Sequence, residues 1–147
     1  MAALTPVDDV AALPPSSTIE VASDDLLHPE GGAPFEAAGW RFLRAERDLP
    51  GLRAVCRVPG GQLSIEGATV AVRFKDNVAN DVIQRVLQNH HLRVERPLTF
   101  IPNTYELAFQ GTPHRGQIFR LSRQLGNLDC VTYADPVVVE PLDSRAR

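Results

Sequence analysis

Lysine is almost missing from this chain of 147 residues; Lys75 stands alone, and arginine supplies every other permanent side-chain cation. Cysteine is nearly as scarce. Cys56 and Cys130 lie in apolar runs far apart, with no CxxC or Cys/His spacing, so neither a disulfide nor a metal site is expected. No apolar run approaches the roughly 20 residues a membrane helix requires. The opening MAALTPVDDVAALPP lacks the basic start and apolar core of a secretory signal, which makes the cytoplasm the default expectation. A net charge of −3 argues against nucleic acid and anionic membrane as partners, since both select clustered positive charge. Gly31-Gly32 and Gly60-Gly61 lack the lysine that follows a phosphate loop, and no cofactor is expected. Ser122, His114 and Asp129 are the residues one would name for a hydrolytic triad, yet no G-x-S-x-G motif surrounds any serine. Catalysis is not expected.

What the chain does have is a hydrophobic content of 44%, enough for a real core in one domain or a small domain with an extension. Residues 1–35, rich in Ala, Pro, Ser and Asp, read as a flexible segment with at most a short strand at 18–21. Residues 36–67 read as a β extension, with strands at 39–46 and 52–58 joined across Asp48-Leu49-Pro50-Gly51 and a further short strand at 62–65.

From residue 68 the period switches cleanly. Residues 68–75 alternate, with Val70, Val72 and Phe74 on one side. Beginning at Asn77, the apolar positions Val78, Val82, Ile83, Val86, Leu87 and His90 form one helical stripe, with Asp76 as N-cap. Strand character returns at 92–100, a turn follows at Pro102-Asn103, and residues 104–110 alternate with Tyr105, Leu107 and Phe109 inward. Thr112-Pro113 opens a second helix that buries Ile118, Leu121 and Leu125, and Gly126-Asn127 stops it. A last strand at 129–139 is interrupted at Asp135-Pro136.

The order β-α-β-β-α-β predicts an α+β fold of ferredoxin-like type, a four-stranded antiparallel sheet with two helices on one face. The other face stays bare and is the natural place for a partner. The segments LRAERDL (43–49) and LRVERPL (92–98) share five of seven positions, so the extension also reads as a degraded copy of the central hairpin. Trp40 and Phe42 are expected to pack the extension against this module. Tyr105 and Phe109 point to the helix side, whereas an RNA-recognition sheet carries its aromatics on the open face. His90-His91 fits capping of a helix C-terminus better than metal binding, since no third ligand is near.

TVAVRFK (69–75), LRVER (92–96), IPNTY (101–105) and VTYADPV (131–137) together resemble the prodomain of bacterial subtilisin-like serine proteases, particularly the fervidolysin type, over residues 68–140. The resemblance implies a module that inhibits a subtilisin-like serine protease or assists its folding, with no catalytic group of its own. The implied docking face consists of Arg93, Glu95, Thr104, Glu106 and Ala108. The implied tail, extended along the protease cleft like a substrate, begins at Val137, Val138, Val139 and Glu140 and continues through Pro141 and Leu142 to Arg147. Residues 141–147 form this tail beyond the module. The Asp, His and Ser motifs of a protease domain are not among these residues, which leads one to expect a separately encoded inhibitor, an isolated prodomain or a reused module. An adaptor that recruits a protein through the same sheet, and a small-molecule regulatory domain that pairs such sheets into dimers, are the other readings.

Overall fold

The computed structural model describes residues 4–47 and 49–140. These residues form an α+β structure, with a mostly antiparallel set of seven strands and three α-helices among them. It divides into two compact units. One holds residues up to Glu66 with His114–Gly116 and the stretch from Val138, and the other holds Gly67–Pro113 and Gln117–Val137. The expected four-stranded module accounts for only part of the strands.

In the first unit, β1 (Thr5–Leu13) lies between β2 (Arg41–Arg44) and β3 (Arg53–Arg57), antiparallel to both, and β3 pairs with the start of β4 (Leu63–Phe74). This corrects the expectation of a flexible segment over 1–35. Val10–Leu13 is a continuous apolar run of the kind a strand covered on both faces requires. Val10 and Ala12 join Phe35, Phe42, Val55, Leu63 and Ile65 on one face, where Phe35, from the short helix α1 (Ala33–Ala37), meets Trp40 and Phe42 edge-on. Ala11 and Leu13 join Leu43 and Leu52 on the other face, against Ile19, Val21, Leu26 and Leu49. The strand expected at 18–21 does not form. Instead Arg41 donates to the carbonyls of Ser17 and Ile19 and pins that segment as cover.

The hairpin expected from residues 39–58 is also corrected. The two strands exist, but β1 separates them, so the LRAERDL echo does not mark a copied hairpin. Asp48, in the expected connection, lies outside the described residues. Strands expected at 62–65 and 68–75 are a single twelve-residue strand, β4. Glu66, in its middle, is buried; its Oε1 accepts the backbone N–H groups of Ala54 at 3.0 Å and Gly116 at 2.9 Å. A buried carboxylate is tolerable when hydrogen-bonded in this way.

The second unit contains the rest of β4, α2 (Asn80–Asn89), β5 (Leu92–Pro97), β6 (Thr104–Phe109), α3 (Gln117–Gly126) and most of β7 (Val131–Val139). β4 pairs antiparallel with β6 and β6 with β5, while β7 also pairs with β4. Val70, Val72 and Phe74 of β4 share one core with Val86 and Leu87 of α2 and Ile118, Leu121 and Leu125 of α3. Both helices therefore cover the same side of these strands. Their starts differ from expectation. Asn77 takes a left-handed φ of 64°, so α2 begins three residues later, and Asp76 accepts from the Asn103 amide at 2.8 Å instead of capping. α3 begins at Gln117 and not at Pro113. β7 runs unbroken through Asp135-Pro136.

Leu13, fully buried in the first unit, tests whether the N-terminal segment is structural. Leu13→Ala should lower the unfolding free energy by about 3 kcal/mol, read as a drop in the urea midpoint at unchanged slope. A dispensable segment would leave the midpoint where it was.

Candidate protein-binding face

Strand parity builds the face. Opposite the core-facing Val70 and Val72, β4 presents Thr69, Ala71 and Arg73, whose cross-strand neighbours on β6 are Ala108, Glu106 and Thr104. On β5, Arg93 stands beside Ala108 and Arg96 beside Glu106. These two arginines share a side only because the register shifts between Val94 and Arg96, where Glu95 is the additional residue of a β-bulge.

A polar ladder crosses the three strands. The Thr69 hydroxyl donates to Glu106 Oε1 at 2.7 Å, and Arg96 Nε donates to Glu106 Oε2 at 2.7 Å. The Glu106 side chain is only 13% exposed, against 68% for Arg96. The hydrogen bond from Thr69, opposed by partial burial and reinforced by the Arg96 hydrogen bond and charge, holds the Glu106 carboxyl below the usual carboxylate range. Arg93 and Glu95 form an ion pair at the surface. Arg73, half-buried, has no acidic partner among the described residues.

Of the residues named from the sequence, Arg93, Glu106, Thr104 and Ala108 do share this face, and Glu95 sits at its bulge. Thr104 and Ala108 are buried, small side chains between larger cross-strand neighbours, and Thr104 bonds the Pro102 carbonyl. They form a floor and not a contact surface, a correction to their expected role. Sequence reading missed Arg96, Thr69 and Arg73. Alternation alone would have found Thr69 and Arg73; Arg96 has the wrong parity, and only the bulge turns it round.

The expected tail is corrected as well. Val137, Val138 and Val139 are the last residues of β7, and Val139 packs with the first unit's core around Phe42 and Ile65. Glu140 is exposed after the strand ends; Pro141, Leu142 and Arg147 lie outside the described residues. Ser122 is buried and donates to the Ala134 carbonyl at 2.7 Å, tying α3 to β7. His90 follows α2, its backbone N–H donating to Val86. Tyr105 meets Phe74 edge-on on the core side. Phe42 and Trp40 pack within the first unit. Both cysteines are free, and burial raises the Cys56 thiol pKa against the lowering effect of Ser64. Among the described residues no group of three or more His, Cys, Asp or Glu is placed to hold a metal ion, and no helix is long and apolar enough to cross a membrane.

Comparison with protein families, curated proteins and solved structures finds no match.

Chemically, the face offers guanidinium donors and a carboxylate whose two oxygens are already oriented, a surface suited to a polar protein contact. Thr69→Val removes the strongest influence lowering the Glu106 pKa, so that pKa should rise when followed by carboxyl-carbon NMR. The sign for stability follows. A carboxyl with a depressed folded pKa stabilises above the unfolded value of about 4.3, and the contribution fades as pH falls through the folded pKa. The stability gap between the wild type and Thr69→Val should therefore be widest near neutrality and shrink below about pH 4. An unmoved Glu106 titration would refute the ladder.

Proposed function

We propose that the second unit is a ferredoxin-like module of the subtilase-prodomain kind and that the protein acts by binding, as an inhibitor or folding assistant of a subtilisin-like serine protease. The observation that carries this reading is the strand order β7-β4-β6-β5, with α2 and α3 on one side of the strands and a preoriented polar ladder on the other. The segment-by-segment resemblance of residues 69–75, 92–96, 101–105 and 131–137 supports the protease as partner.

In this mode the exposed arginines and Glu106 meet the enzyme surface. Glu106 accepts from Thr69 and Arg96, and each carboxylate oxygen keeps acceptor capacity for an N–H at a partner helix start. The substrate-like segment begins at Glu140, since the three valines before it are part of β7. From there it supplies main-chain hydrogen bonds by strand addition in the cleft.

A second reading draws on one specific observation. Val139, partly buried, packs against the first unit's core, which fits an adaptor that docks through its sheet face without entering any cleft.

Mixing the full chain with a panel of subtilisin-type proteases tests the first reading. Inhibition at micromolar concentration or tighter is expected for at least one, and removal of residues 141–147 should weaken it about tenfold or more. An adaptor would inhibit none of them and would lose no affinity for its partner on the same deletion.

A further inference from the structure

On the docking face, as β4, β5 and β6 build it, one charged side chain stands unmatched. The acidic and basic groups that β5 and β6 bring to it are matched: Arg93 with Glu95, and Arg96 with Glu106. Arg73 is the exception. Its diagonal neighbour across the strands is Glu106, but no ion pair or hydrogen bond joins the two side chains, and the carboxylate is turned to Thr69 and Arg96. Across from Arg73 stands Thr104, whose hydroxyl is directed to the Pro102 carbonyl. Among the described residues the Arg73 side chain therefore has no ion-pair or hydrogen-bond partner, although the residue is already half-buried.

Covering this face would take the remaining water from a guanidinium with five donors and no acceptor of its own. A desolvated, unpaired charge is strongly unfavourable, so any surface that docks here must supply the missing acceptors. A carboxylate fits best, because its two oxygens match the planar fork and cancel the charge.

We propose that the protein partner of this face presents an aspartate or glutamate carboxylate to Arg73, and that Arg73 thereby selects the partner. The inference rests on the docking reading above and adds to it the chemistry required of the other surface. It also excludes surfaces. A partner carrying Lys or Arg at that point meets like charge and is rejected, which is how a single residue discriminates among enzymes of one fold.

The test uses the full chain and a subtilisin-type protease that the wild type inhibits. Arg73→Ala should weaken inhibition by about 30-fold or more, and Arg73→Glu more than that. Arg73→Lys, which keeps the charge but not the fork, should fall between wild type and Arg73→Ala. The salt dependence of the inhibition constant should be flatter for Arg73→Ala than for wild type, since one screened attraction is gone. Thermal midpoints should be unchanged, because Arg73 makes no ion pair or side-chain hydrogen bond within the described chain. Arg73→Ala inhibiting as well as wild type overturns the inference and leaves the docking reading standing. A loss with unaltered salt dependence also overturns it, since a neutral acceptor would then be the partner group. If the wild type inhibits no protease, the docking reading fails and this inference fails with it.

Discussion

Every residue added to a strand reverses the direction of its side chain, and in the second half of β4 this two-residue period settles what each surface is. Val70, Val72 and Phe74 turn toward α2 and α3 and form the centre of their core. Thr69, Ala71 and Arg73 are then obliged to face the opposite way, and the antiparallel register hands the same division to Glu106 and its neighbours on β6. No separate design is needed to produce a polar face. It follows from the requirement to bury three large apolar side chains on the other one.

That face is orderly because, Arg73 apart, the ionisable groups of β5 and β6 are tied to one another. Glu106 is flanked by a hydroxyl on β4 and a guanidinium on β5, so three strands share one carboxylate. A network of this kind fixes side-chain positions before a partner arrives, which reduces the ordering cost of association. The bulge at Glu95 is part of the same arrangement, since in a regular register Glu95 would take the place opposite Glu106 and Arg96 would turn to the core side, opposite Tyr105.

The second unit was largely legible in the sequence because its periods are clean. Alternation at 69–74, the helical stripe from Val82 to Leu87 and the stop at Gly126 all reappear in β4, α2 and the end of α3. Helix starts were less legible: Asp76 and Thr112 look like caps, but the left-handed turn at Asn77 and the segment before Gln117 push both helices onward. The first unit was misread for a different reason. Val10–Leu13 is a short apolar run among Asp, Pro and Ala, and nothing local says that it lies between two strands found more than 25 residues later. Partner choice among strands is a tertiary property, and neighbouring sequence does not encode it. The buried Glu66 was invisible for the same reason, since its ligands are the backbone amides of Ala54 and Gly116.

The first unit is assembled from three separate pieces of chain: the stretch ending at Glu66, the short segment His114–Gly116, and residues from Val138 onward. The sequence of the second unit lies between the first of these pieces and the last. Val139, which packs against the cluster around Phe42, therefore reaches that unit from far along the chain. Neither unit can be cut out by choosing a single boundary in the sequence.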